Sequence, residues 1–305
     1  MSYYPLGYII KNRREELQLS QEDLAEGICS VSPLSRIENG ERMPSKNHYE
    51  MLMQRLGYSA LSLDYFTDKQ DFIIHELKFK IRHAYIEKEF GQCRRLLEKL
   101  TSLTGERSTI DTQFISLYDT LLNQKSMPVE EKLERLEAAL RLTCPQYGEN
   151  FAPKVLSYEE ICILNNIAQS YKALLQRPRT IELLYVIKNY YDRQVCSAEE
   201  ALRTQPMILY NLSSSLGLEG RYDECIAVCD EAISLARRTY RYAYYEKTLY
   251  NRAWSLLRRN HTGDREQARL SLKQAYSFAH SVDDSEMIDI FQDFYKKNFY
   301  EEMLI

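Results

Sequence analysis

A three-residue signature recurs along this chain: Leu117-Tyr118-Asp119, Leu164-Asn165-Asn166, Leu209-Tyr210-Asn211 and Leu249-Tyr250-Asn251, at steps of 47, 45 and 40 residues. A second set of small or apolar markers, Cys93, Leu133, Ile181, Cys225 and Ala268, steps by 40, 48, 44 and 43 residues. Such periods fit stacked pairs of helices, in which each pair can bury its apolar face only against the next. Small residues at the markers let two helices approach closely. The array starts near residue 75, and the tail from Asp283, with Met287, Ile290, Phe291, Phe294 and Tyr295 among acids and lysines, reads as a closing helix that caps it. With only 10 Gly and 8 Pro in 305 residues, little interrupts long helices, and the fold class expected is all-α.

The N-terminal segment follows a different rule. Leu6, Ile9, Ile10 and Leu17 recur at helical spacing, with Lys11, Arg13, Arg14, Glu15 and Glu16 on the other face. Ser20 offers an N-cap with Asp23 three residues on, so a second helix starts there, with Leu24 and Ala25 as its apolar edge and Gly27 allowing the turn. A third begins near Ser30 or Ser32, tolerates Pro33 in its first turn, and stops at Asn39-Gly40. Its Leu34 and Ile37 point inward, leaving Ser32, Pro33, Ser35 and Arg36 outward. Three short helices of this kind form a helix-turn-helix, whose recognition helix enters the major groove. Arg36 is the candidate for a bidentate contact to guanine, worth about 1–3 kcal/mol of discrimination. Ser32 and Ser35, flanked by Val31 and Pro33, would meet base edges or water, while Gln21, Arg42 and Lys46 would hold phosphates and set register.

Charge sets a condition on this reading. Residues 1–66 hold seven Lys or Arg against nine Asp or Glu, and the whole chain has a formal net charge of −4. DNA affinity normally leans on counterion release by cations. Here the positive groups must be sorted onto one face, and the contact must be doubled in a dimer. A helical docking module that binds no DNA is the plain alternative. No secretory signal is evident, and no apolar stretch reaches the ~18 residues of a membrane span. Seven scattered cysteines suit small packed residues in a reducing cytoplasm better than a disulfide frame. His48, His75, His83, His261 and His280 form no metal spacing, and no nucleophile set or phosphate cradle is visible, so no enzyme, metal or cofactor is expected.

The stretch Gly27-Ile28-Cys29-Ser30 followed by Leu34-Ser35-Arg36-Ile37-Glu38-Asn39-Gly40 resembles the Xre/Cro-like helix-turn-helix family, in its PlcR/Rgg branch. Between Leu24 and Glu38 the chain is one residue shorter than the general family pattern, which shifts base-contact register near Val31 and Ser32. Gly220 to Ala232 and Gly263 to Ala275 resemble the second helix of a tetratricopeptide (TPR) unit. Together the halves resemble the RRNPP group of Gram-positive quorum sensors. That resemblance implies a five-helix head over 1–66, a linker helix over 67–78, and a right-handed TPR-like superhelix with a C-terminal capping helix over 79–305. It also implies an internal Arg14–Glu38 ion pair, homodimerisation, a cytoplasmic location, an operator in double-stranded DNA, and a short apolar signalling peptide on the concave repeat surface. Asn166, Asn211 and Asn251 match the family's peptide-clamping amides. Asp119 stands where an Asn is more typical, Asn165 lies beside the column, and Lys80 and Arg82 fall near the first repeat as candidates for a peptide carboxylate. Amides of this kind can bond an extended peptide backbone, or merely bond neighbouring helices. A TPR-bearing repressor whose input is a protein partner is the runner-up.

Overall fold

The computed structural model describes residues 4–58, 69–104, 108–148, 151–193 and 198–300. All regular structure among the described residues is helical, from α1 to α15 in chain order. Residues 1–176 with 189–201 form one compact unit, and 177–188 with 202–305 form a second.

The first unit opens with four short helices: α1 (Tyr4–Glu16), α2 (Gln21–Ala25), α3 (Val31–Glu38) and α4 (Lys46–Arg55). A capping box starts α2, the Ser20 hydroxyl accepting from the Asp23 amide while the Asp23 carboxylate accepts from the Ser20 amide. Ser45 caps α4 through the His48 amide. Gly27 and Gly40 turn the chain with φ of 68° and 74°, a region that disfavours any side chain. The core between these helices is Ile10, Leu24, Leu34, Ile37, Leu52 and Leu56. Ile9 departs from the sequence expectation and is 42% exposed. The reason is Gly7: its bare Cα lies against the α3 backbone, where a Cβ would sit 2.2 Å from the Ile37 carbonyl oxygen. That contact sets the buried face of α1 along Gly7, Ile10 and Arg14, and turns Ile9 outward. A fifth head helix would fall on 59–68, outside the described residues.

From Lys69 the chain runs as one helix, α5 (Lys69–Ile86), followed by α6 (Phe90–Leu103), α7 (Thr109–Asn123), α8 (Val129–Arg141) and α9 (Tyr158–Ala173). Each packs on its chain neighbour. α10 (Arg177–Asp192) and α11 (Ala198–Leu218) lead into α12 (Tyr222–Thr239), α13 (Tyr245–Arg259), α14 (Asp264–Ser281) and α15 (Ser285–Phe299). Sequential packing again dominates from α12 onward, as expected when each pair buries its apolar face on the next. Cys93, Ile181, Cys225 and Ala268 are buried at the close approaches, and Leu133 is half-buried. The last helix closes the second core with Phe291, Tyr295 and Phe299, spaced i, i+4, i+8. Ile290, one position off that stripe, is 40% exposed rather than packed.

Candidate nucleic-acid interface and repeat cleft

The reading face is built from the inside out. Glu38, at the end of α3, is buried, and its carboxylate accepts from Arg14 Nε at 2.6 Å, from Arg14 Nη2 at 2.9 Å and from Gln21 Nε2 at 2.7 Å. Arg14 also donates to the Leu19 carbonyl at 2.8 Å. One carboxylate therefore ties α1, α2 and α3 together, and its pairing with a guanidinium offsets the cost of burial. The Glu38 hydrogen bond, with the carboxylate's charge, raises the Arg14 pKa against desolvation. Gln21, half-buried, commits an amide N–H to this triad.

With α3 so held, Ser32 and Arg36 are exposed, and Val31, Pro33 and Ser35 are half-buried. The Arg36 guanidinium meets an exposed Glu41 at 3.7 Å, a contact weak enough to exchange for a base edge. Arg42 is exposed just beyond the helix. Lys46 is not. At 2% exposure it lies 3.4 Å from Glu50 and over the Tyr49 ring, so its assignment to a phosphate is corrected. Its place in the first turn of α4 turns it inward, toward the seam with the repeats.

That seam is polar and largely buried. Glu50 accepts from His75 Nδ1 at 2.5 Å; burial opposes its ionisation, but His75, Lys78 and Lys46 prevail and bring its pKa down to about 2. Lys78 reaches Asp111 at 2.6 Å, and Asn47 donates to the same carboxylate at 2.8 Å. Arg55 donates to Glu160 at 2.8 Å, to the Thr143 carbonyl at 3.1 Å and to the Glu26 carbonyl at 2.5 Å. Lys154 pairs with Asp23 at 2.8 Å on the rim. None of these partnerships was read from sequence, because Arg55 and Glu160 stand 105 residues apart and no local pattern links them.

Among the candidate peptide contacts, the structure separates Lys80 from Arg82. Two residues apart on α5, they face opposite ways. Lys80 is exposed and pairs with Glu76 at 3.2 Å. Arg82 is bound by Glu159 at 2.9 and 2.5 Å and lies over the Phe114 and Tyr158 rings. The protein itself supplies the carboxylate that Arg82 was expected to find in a peptide, which corrects that assignment. Asp119 is half exposed and lies 3.4 Å from Arg135. Asn165 is buried, and the half-buried Asn166 donates to the Cys162 carbonyl of its own helix at 2.9 Å.

In the second unit, Asn211 on α11 is half-buried, and Asn251 on α13 donates to Ser213 Oγ at 3.0 Å. Asn251 also lines a cleft of about 250 Å³ with Ser214, Gly217, Leu218, Tyr250 and Trp254. The cleft combines aromatic walls with small polar groups, a mixture suited to a side chain and its adjoining backbone. Among the described residues no three His, Cys, Asp or Glu side chains gather as metal ligands, and no helix is long and apolar enough to cross a membrane.

Residues 10–63 match the helix-turn-helix family. That stretch is therefore a helix-turn-helix segment, and helical pairs follow it. Its fold is similar to that of Bacillus thuringiensis PlcR in complex with the peptide PapR7 and DNA, with a TM-score of 0.56 at 18% identity, covering 98% of this chain and 100% of that one. The apo form of PlcR gives 0.59 at 18% identity, covering 94% and 98%. The apo competence regulator ComR of Streptococcus vestibularis gives 0.51 at 19%, covering 98% and 99%. No curated protein matches the chain in sequence. At these identities the likeness is one of fold, and it spans head and repeats together.

Proposed function

We propose that this protein is a cytoplasmic transcriptional regulator that binds an operator as a homodimer and answers to a short apolar signalling peptide held by its repeats. The observation that carries the DNA reading is the outward face of α3: Ser32 and Arg36 are exposed on a helix pinned from behind by Glu38. Gln21 and Arg42 flank that face as phosphate contacts. The domain assignment that goes with this reading is a head over 1–66, a connecting segment over 67–78 and a sensing and dimerising region over 79–305. The peptide reading rests on the cleft beside Asn251, with Asn211 and Ser214 as further polar groups, and draws support from the likeness to a fold solved with both peptide and DNA. Asp119, Asn165 and Asn166 on the first unit are its weaker members, because Asn166 already bonds its own helix.

A second reading, a repressor whose input is a protein partner, is favoured by that internal bonding and by the Asn251–Ser213 bond. One experiment separates the two. Fluorescence anisotropy of a DNA fragment from upstream of the protein's own gene is followed while synthetic peptides encoded by neighbouring short reading frames are added. The peptide reading expects one of them to shift the midpoint of DNA binding. If none does, yet the protein still binds that fragment specifically, protein input becomes the better account.

A further inference from the structure

Gly217 sits in the last turn of α11, and nothing local calls for a glycine there. The chain turns three residues later at Gly220, whose φ is 79°, while Gly217 keeps an ordinary helical φ. Nor do its neighbours exclude a side chain. A Cβ at Gly217 would stand 3.4 Å from Ser255 Oγ, 3.5 Å from Trp254 Cζ3 and 3.6 Å from Cys225 Sγ, ordinary van der Waals distances. Gly7 is the contrast, since a Cβ there would lie 2.2 Å from a backbone oxygen. Alanine is a far better helix former than glycine, and a methyl group at this buried position would gain packing, so alanine would make the free protein more stable. What the methyl would take away is space. Gly217 lines the cleft of about 250 Å³ between α11, α12 and α13.

Rings shape that cleft. Trp254, half-buried, lines it and brings the Cζ3 edge of its indole toward Gly217. The indole is fixed by its other neighbours: the Arg258 guanidinium lies 4.9 Å from the ring centre, and Tyr222 meets it edge-on at 6.0 Å. Tyr250 also lines the cleft and is held by Phe291 at 5.5 Å and Phe294 at 5.0 Å. Rings already locked in place lose little freedom when a ligand arrives. The volume has a useful scale, because an engineered protein cavity of about 150 Å³ takes up benzene. The edge of an aromatic ring carries positive partial charge and prefers the face of a second ring. The Trp254 edge therefore favours an aromatic guest over an aliphatic one of equal size.

We propose that this cleft is a subsite for one aromatic side chain of the bound peptide, with Gly217 as the residue that sets its size limit. The ring sits over Gly217 against the Trp254 edge, and Asn251 and Ser214, which line the same cleft, face the backbone next to it. The subsite rests on the peptide reading of this cleft and adds the class of residue selected there. It also accounts for the glycine: helix stability is given up at position 217 in return for room that a methyl group would fill.

Trp254 is the only tryptophan in the chain, so its emission reports on the cleft directly. The full-length protein is titrated with the N-acetyl N-methylamides of phenylalanine, leucine and alanine, none of which emits with tryptophan. The phenylalanine compound is expected to shift the emission saturably and to bind roughly tenfold or more tighter than the alanine compound, the effect of burying a large apolar side chain, with leucine between them. Gly217→Ala should raise the melting temperature yet weaken the phenylalanine compound several-fold, and Gly217→Leu should abolish the shift. Equal affinities for the three compounds, no saturable shift, or an unchanged phenylalanine affinity in Gly217→Ala would overturn the subsite. So would a lower melting temperature in Gly217→Ala, which would show that packing requires the glycine. Should Gly217→Leu fail to fold, Gly217→Ala decides the matter. A saturable phenylalanine shift, with no neighbouring-frame peptide acting on DNA binding, would keep the ring subsite and remove only the peptide's control of the operator.

Discussion

Two helix seams in this molecule are built on opposite principles. The seam between α4 and α5, α7 and α9 joins the helix-turn-helix head to the first repeats with buried charges: Arg55 with Glu160, Lys78 with Asp111, Glu50 with His75 and Lys46. The seam between α11, α12 and α13 holds serines, a glycine, cysteines and an asparagine around an open cleft. Parting buried ion pairs leaves uncompensated charge and is costly, whereas small polar side chains can exchange neutral bonds with a ligand at about 0.5–1.5 kcal/mol each. The first seam is made to stay closed, and the second keeps open space beside its polar groups. The head is held by groups that specify one arrangement, and adaptability is placed in the other unit.

The largest effect should come from the first seam. Arg55→Met leaves Glu160 buried and unpaired and should lower stability by about 3–5 kcal/mol, read by chemical denaturation. Adding Glu160→Leu should recover much of that loss, and equal stability in the single variant and wild type would show that the seam is not under this electrostatic control.

Next comes pH. Because the folded-state pKa of Glu50 is depressed from 4.5 to about 2, its contribution is complete above the unfolded value and is lost as pH falls from about 4.5 toward about 2. Glu50→Gln should flatten the stability profile across that window and leave it parallel to wild type near neutrality. An unchanged slope would contradict the His75 and Lys78 contacts. Arg36→Ala follows, with the melting temperature unchanged and about 1–3 kcal/mol of base discrimination lost, measured as the ratio of operator to scrambled-DNA affinity. Smallest is Asn251→Ala, which should weaken peptide binding by about 0.5–1.5 kcal/mol in calorimetry and leave DNA affinity alone. An identical peptide affinity would assign Asn251 to the α13–α11 contact only.

What the sequence made legible follows from the range of the interactions involved. Ser20 and Asp23, Gly27 and Gly40, and the i, i+3 burial of Leu34 and Ile37 are local, and each was readable because it acts within one turn. The repeat markers were readable because the same local requirement returns five times. Lys46 and Arg82 were misassigned for the opposite reason: Glu159 lies 77 residues from Arg82, and although Glu50 is i+4 from Lys46 on the same helix, the burial of that pair against α5 depends on residues far along the chain. Ile9 failed through a single glycine two residues away, whose lack of a side chain set the helix's rotation. The cleft beside Asn251 combines α11, α12 and α13, so the recurring Leu-Tyr-Asn motif was visible in sequence but the space next to Asn251 was not.

The most direct test of paired reading heads is selection of bound sequences from a random double-stranded DNA pool by the full-length protein at fixed salt. The account predicts enrichment of a two-fold symmetric site whose half-sites lie about one helical turn, ~34 Å, apart, and loss of that enrichment in Arg36→Ala. A pool that stays random, or an enriched single half-site that Arg36→Ala selects equally well, would contradict it.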